Sequence, residues 1–281
     1  MESSPHAVSL PPNRPLVLSV SSNSPDSLAP PGCHGSCSFG GCPQRGALFS
    51  AKAANLPSHQ PPHFALPLQA LAIRGAVPSD LETLLLLERE SWTEPMRHPR
   101  NLLSERIAAQ PPKIFVLEVE GEVVGSICAQ RILSIDSIKQ VTWASEDCIA
   151  EASGTTLQLL RVNTFLESAP AAATGLAIGA ILRDFCLVYA RELGMKKVCA
   201  VTKTTDFVPG TGPYATYVEG GVLDGQHPDR GLNFHVSRGA AVVRAIANWR
   251  PEDPGNEGHG VLISYNLNEV CHGVCTFSSL F

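Results

Sequence analysis

Four side chains in this sequence have types suited to work on an activated carbonyl. His235 stands in Leu232-Asn233-Phe234-His235-Val236-Ser237-Arg238-Gly239-Ala240, on a short helical segment that Gly239 ends. Further on, Arg250 sits in Asn248-Trp249-Arg250-Pro251-Glu252-Asp253, where the following strand should finish. Thr202 closes a strand in Ala200-Val201-Thr202-Lys203, and Trp92 lies in Ser91-Trp92-Thr93-Glu94-Pro95-Met96-Arg97. A hydroxyl and an imidazole can donate hydrogen bonds to a developing oxyanion, and an imidazole can also deliver a proton. A guanidinium can grip a carboxylate or phosphate, and an indole can wall the site from water. Together the four would suit an acyl thioester. Each also has a bland reading. His235 between Phe234 and Val236 can be a half-buried, hydrogen-bonded core histidine, and Thr202 an ordinary β-former. Trp92 can be core or a packing lid, and Arg250 can be a surface residue or pair with Glu252 or Asp253.

The elements that must position these groups are readable from Leu71 onward. Leu71–Arg74 reads as a short strand. Ser79 and Glu82 fit a capping box opening a leucine-rich helix to Glu90. A second helix runs from about Pro99 to Ala109, where Pro111-Pro112 ends it. Ile114–Val119 and Val123–Ile132 are rich in β-formers and flank Glu120-Gly121-Glu122, which predicts a hairpin. Residues 134–154 are weakly patterned and read as a loop or irregular helix. Thr156–Thr164 is a strand whose apolar run Arg161 interrupts. A helix from about Ala177 to Leu193 stops at Gly194, Lys197–Thr202 is the next strand, and 206–229 is a Gly/Pro-rich loop. The His235 helix and strands Ala240–Asn248 and Gly260–Leu267 complete the order. Helices interleaved with strands of a mixed sheet give an α/β (α+β) class.

Composition narrows the partners. The chain has 281 residues and a net charge of −5, with no basic run of the kind nucleic-acid binding needs. No apolar run reaches ~18 residues, so no spanning helix is expected. Residues 1–70 are dense in Pro, Ser, Gly and His, and their only acids are Glu2 and Asp26. Such a leader buries too little apolar surface to offset its ordering entropy. It is either a plain disordered tail or a transit peptide, although Arg14 and Arg45 are few arginines for the latter. The location is therefore cytoplasmic, or plastid or another organelle if the leader is a targeting segment. Residues 71–281 form the globular domain.

The nine cysteines are scattered. Cys128, Cys186 and Cys199 lie in apolar patterns and read as core residues. Cys33, His34, Cys37 and Cys42 are crowded, as are Cys271, His272 and Cys275, and neither group is taken as a metal site. His98, His227 and His259 are read as structural.

The order of elements, with a small-residue turn before a long helix, resembles the GNAT superfamily of acyl-CoA transferases. In that family the strand before the turn and the helix after it hold the coenzyme A pyrophosphate. Exposed amides at a helix N-terminus suit phosphate, and small residues allow close backbone approach. The usual pattern is Arg/Gln-x-x-Gly-x-Gly/Ala. Its counterparts here are Thr174, Ala177 and Gly179, with Gly175 offering a second frame and Val162 on the preceding strand. Thr174 replaces the leading Arg/Gln.

A closer similarity covers about Ile73 to Leu267. Trp92–Arg97, Leu160-Arg161-Val162-Asn163, Ala200–Lys203, Asn233–Ala240 and Trp249–Asp253 look, in order, like the GNAT-like loading domain of curacin-type polyketide synthases. This resemblance implies a mixed, mostly antiparallel twisted sheet flanked by helices. It also implies decarboxylation of malonyl or methylmalonyl thioesters carried on coenzyme A or an acyl-carrier protein, with transfer of the acyl group to a carrier thiol attributed to the same domain. Thr202 and His235 take the catalytic positions, and Trp92 and Arg250 the supporting ones. Two other functions compete: an N-acetyltransferase using acetyl-CoA and an amine, and an acyl-CoA binding module without turnover.

Overall fold

The computed structural model of the chain describes residues 71–165 and 177–268, and the backbone of Leu16–Leu18. Strand β1 (Leu16–Leu18) is the outer edge of an eight-stranded sheet, and β2 (Leu71–Gly75) pairs with it antiparallel. The leader was expected to carry no structure. These three residues are an exception, because Leu-Val-Leu is β-forming and β2 otherwise leaves a row of backbone groups open.

Helices α1 (Leu81–Ser91) and α2 (Arg100–Ala108) follow. Helical spacing puts Leu84, Leu87 and Glu88 on the buried face of α1, so an acid occupies a core position. The Ser79–Glu82 capping box does not form. A short 3-10 turn, Pro78–Asp80, leads into the helix instead, and Asp80 accepts from the Val77 amide at 2.8 Å while Arg74 pairs with it at 2.7 Å.

Strands β3 (Ile114–Val119) and β4 (Glu122–Ile132) make the expected hairpin. The weakly patterned stretch after β4 holds two 3-10 segments, Ile135–Gln140 and Trp143–Ile149. Next come β5 (Thr156–Thr164), α3 (Ile178–Glu192) and β6 (Lys197–Thr202). Helix α3 buries Ile178, Leu182, Phe185, Cys186 and Ala190, a stripe of helical period, against the sheet. The glycine stops at Gly194 and Gly239 have φ of 69° and 88°, the left-handed region that ends a helix. Within the expected loop 206–229 a short helix α4 (Tyr214–Glu219) packs on the core through Tyr214 and Val218. Helix α5 (Arg230–Val236) and strands β7 (Ala240–Ile246) and β8 (Gly260–Asn266) complete the chain's described part.

The strand order is β1-β2-β3-β4-β5-β6-β8-β7, and only the β5–β6 pair is parallel. Two irregularities at β5 matter for the site. Its register with β4 slips between Cys128↔Arg161 and Ala129↔Leu159, which makes Leu160 an extra residue and puts a bulge in β5. Its pairing with β6 stops at Leu159↔Ala200, although both strands continue. The two neighbours therefore part in mid-sheet.

Candidate functional site

Where β5 and β6 part, a cleft of about 280 Å³ opens. Leu159–Val162 of β5 line one wall and Ala200–Lys203 at the end of β6 the other. Trp92 enters from the C-terminus of α1, Phe234 and His235 from α5, and Arg250 from the turn after β7. Trp92, Val162, Thr202, His235 and Arg250, which come from separate stretches of sequence, thus border a single space.

The approach of α5 is fixed by backbone contacts. Asp229, fully buried, caps the helix by accepting from the Leu232 amide at 2.9 Å. The same carboxylate accepts from the Thr205 and Asp206 amides at 2.9 and 2.8 Å and from the Tyr217 hydroxyl at 3.0 Å. Four donors on one carboxylate tie the exit of β6, α4 and α5 together. Gly231 allows the close fit: a Cβ there would stand 2.5 Å from Thr205 Oγ1 and 2.8 Å from the Lys203 carbonyl oxygen.

Trp92 is held by a buried polar chain. Its indole N–H donates to Asn163 Oδ1 at 2.7 Å, and Asn163 Nδ2 donates to Glu88 at 2.8 Å. Arg161 donates to the other Glu88 oxygen, which also accepts from the His98 amide at 2.9 Å. The Arg161 guanidinium lies 4.2 Å from the centre of the Trp92 ring, a stacked cation–π arrangement. Burial opposes the Glu88 charge, but the bonds from His98 and the charge of Arg161 outweigh it and hold the carboxyl at about 2. The bulge in β5 places Arg161 where it can reach both Glu88 and the ring.

Arg250 is 3 % exposed. Its Nη2 donates to the Val201 carbonyl at 2.9 Å, while Nε and Nη1 are buried with no hydrogen-bond partner among the described residues. No ion pair with Glu252 or Asp253 forms. Burial lowers its pKa to about 10, so it stays charged at neutral pH. A buried cation with two unmatched donors on a cleft is suited to an incoming anion.

His235 is likewise buried, and its Nδ1 lies 2.7 Å from the Tyr265 hydroxyl of β8. Burial, and secondarily the nearby Arg183 charge, push the imidazole down to about 3. It is neutral at physiological pH. Arg183 of α3 donates to the Phe234 carbonyl and lies 4.5 Å from the Phe234 ring centre, which joins α3 to the helix that carries the histidine.

The N-terminus of α3 borders the same region. Ala177 is its exposed N-cap, and the Ile181 amide closes onto the Ala177 carbonyl at 3.1 Å. Helix geometry leaves the first amides, at Ile178 and Gly179, without partners inside the helix, the feature that suits a phosphate. Gly179 faces Val162 and Phe234, and a Cβ would meet ordinary contacts at 3.7 and 3.8 Å. Thr174 and Gly175 lie outside the described residues, as do Cys33, Cys37, Cys42, Cys271 and Cys275. Cys128, Cys186 and Cys199 are buried and free, with thiols pushed up by burial. Among the described residues no cluster could hold a metal ion. No helix there is long and apolar enough to cross a membrane.

Sequence reasoning missed Glu88, Asp229 and Tyr265. The one signal for Glu88 was an acid on the apolar stripe of α1, and for Asp229 its position just before a helix. Tyr265 carried none, being one more β-former in a strand. Arg161, seen as a break in an apolar run, is the partner of Glu88.

Comparison with protein-family profiles and with curated proteins gives no match. Solved structures do match. The loading GNATL domain of CurA from Lyngbya majuscula is 30% identical, with a TM-score of 0.63 over 70% of this chain and 98% of that one. The GphF GNAT-like decarboxylase, solved in complex with isobutyryl-CoA, is 34% identical, with a TM-score of 0.60 over 69% of this chain and 98% of that one.

Proposed function

This chain belongs to the GNAT superfamily, among the GNAT-like loading domains of the curacin type, and on that premise we propose that it decarboxylates malonyl or methylmalonyl thioesters. The observation that carries the reading is the common cleft: a hydroxyl (Thr202), a neutral imidazole (His235), an under-paired guanidinium (Arg250) and an indole (Trp92) border it together. The similar GphF GNAT-like decarboxylase is in complex with isobutyryl-CoA in its solved structure, which supports a thioester as ligand.

In the proposed reaction the bond between the carboxylate carbon and the α-carbon breaks, and carbon dioxide leaves. The electron pair passes onto the thioester as an enolate. Thr202 and His235 donate hydrogen bonds to the enolate oxygen, and the α-carbon then takes a proton from water. One such donor is typically worth ~3–4 kcal/mol. Arg250 holds the substrate carboxylate before it departs, and the Trp92 ring, with the Arg250 guanidinium 5.8 Å from its centre, walls that end of the cleft from water. The pantetheine arm enters between β5 and β6 past Val162, and the amides that open α3, at Ile178 and Gly179, face the pyrophosphate when the carrier is coenzyme A.

The test is carbon dioxide release by the full chain from malonyl-CoA, methylmalonyl-CoA and malonyl-loaded acyl-carrier protein. Thr202→Val and His235→Ala should each lower kcat by ~10²-fold or more. Unchanged turnover in both variants removes the mechanism. Transfer of acetyl from acetyl-CoA to an amine, with no carbon dioxide released, replaces the reading with N-acetylation. Appearance of the acyl group on the carrier thiol adds the second step.

A further inference from the structure

We propose that Tyr265 is a positioning residue that fixes His235 as the tautomer with its hydrogen on Nε2, so that the imidazole offers the cleft a hydrogen-bond donor and not a base. The proposal deepens the thioester reading above and, for its catalytic consequence, rests on it.

Tyr265 is fully buried in β8, between Val198 of β6 and Ala240 of β7. Its hydroxyl and His235 Nδ1 are 2.7 Å apart, so one hydrogen lies on that line. Among the described residues the hydroxyl has no other partner. Suppose Nδ1–H were the donor. The phenol hydrogen would then be buried with no acceptor among the described residues, at a cost that buried unmatched donors generally show. Suppose instead the phenol donates. Its hydrogen is then satisfied, Nδ1 is a matched acceptor, and the imidazole hydrogen must be on Nε2. His235 lines the cleft, where water or a substrate oxygen can accept from that nitrogen.

The surroundings also disfavour the doubly protonated ring. From α3 it faces Arg183, a cation, and the neighbouring Asp184 is already engaged by Arg183 at 2.9 Å and by Arg238 at 3.1 Å. Tyr265 on β8 cannot donate to an Nδ1 that carries a hydrogen. A neutral histidine held by one partner so that the other nitrogen donates is an established way to polarise a carbonyl oxygen. It also leaves His235 unable to accept a proton from an ammonium group, which separates this site from amine acetylation at the level of a single hydrogen.

The experiment is ¹⁵N NMR of the imidazole nitrogens in the full chain, with His235 assigned by its absence from His235→Gln. The expected result is a protonated Nε2 and a bare Nδ1, with no change between about pH 5 and 8. Tyr265→Phe removes one oxygen and keeps the ring. It should populate both tautomers and lower kcat for carbon dioxide release at least ~10-fold, with KM changed less than ~2-fold. A hydrogen on Nδ1 in the parent, or a Tyr265→Phe protein that keeps the parental tautomer or the parental kcat, overturns the proposal. If the parent releases no carbon dioxide, the function above fails, while the nitrogen shifts still decide the tautomer.

Discussion

Arg250 holds a charge that the folded chain only partly matches. One of its nitrogens meets the Val201 carbonyl, and two others are buried without partners among the described residues. Such an arrangement costs stability in the free protein, and an anion bound by those two nitrogens would offset that cost. Replacing the cation by an apolar side chain of similar length removes the cost together with the binding. Arg250→Met is therefore expected to melt no lower than the parent by thermal denaturation while KM for malonyl-CoA rises ~10-fold or more. A marked fall in Tm would show that the guanidinium serves the fold and not the ligand.

At the scale of elements, the site exists because β5 and β6 stop pairing at Leu159↔Ala200 and because separate elements are pinned on either side of the gap. Glu88 pins α1 to β5 through Arg161 and Asn163, and Trp92 depends on that chain. Breaking a buried ion pair from one side leaves an uncompensated charge. Glu88→Ala should cost about 3–5 kcal/mol of unfolding free energy by denaturant titration. Adding Arg161→Met should return part of the loss, because the stranded charge is then gone. On the other side, Gly231 lets α5 sit against the end of β6. Gly231→Ala would bring a Cβ to 2.8 Å from the Lys203 carbonyl oxygen, so α5 must move. The prediction is a ~10²-fold loss in kcat with a folded far-UV circular dichroism spectrum. Full activity in that variant would mean that the placement of α5 does not matter to the chemistry.

Across the whole molecule, buried titratable groups, His235 and Glu146 among them, give stability a defined dependence on pH. His235 is lowered from 6.5 to about 3 by burial and then by Arg183. In that window the unfolded chain binds the extra proton, so the contribution is complete above about pH 6.5 and is lost as pH falls toward 3. Glu146, in the 3-10 segment after β4, is raised from 4.5 to about 7 by burial, against the attraction of Arg106, Arg250 and Arg161. Here the folded chain binds the extra proton, and stability is lost as pH rises from 4.5 through 7. Over that window the His235 and Glu146 contributions run in opposite directions, so unfolding free energy should rise more steeply with pH between about 4.5 and 7 in Glu146→Gln than in the parent. A profile identical to the parent's would mean that Glu146 is already ionised in the folded protein.

The sequence by itself determined the elements. Strands Thr156–Thr164 and Lys197–Thr202, the hairpin around Glu120-Gly121 and the helix ending at Gly194 follow from period, β-branching and turn chemistry, which act between near neighbours. Motif order added the family, and with it the expectation that Trp92, Thr202, His235 and Arg250 share a site; the four do line one cleft. Tertiary structure alone decided which groups meet. The Ser79–Glu82 capping box is locally sensible, yet Asp80 is drawn to Arg74 and the Val77 amide instead. The helix inside 206–229 forms because Tyr214 and Val218 find a core to bury in, which no local pattern announces. Glu88 with Arg161, and Tyr265 with His235, are pairs from distant segments. The reason is that propensity depends on a few adjacent residues, whereas a buried hydrogen bond is set by which partners the strand order, the bulge at Leu160 and the parting of β5 from β6 bring within reach.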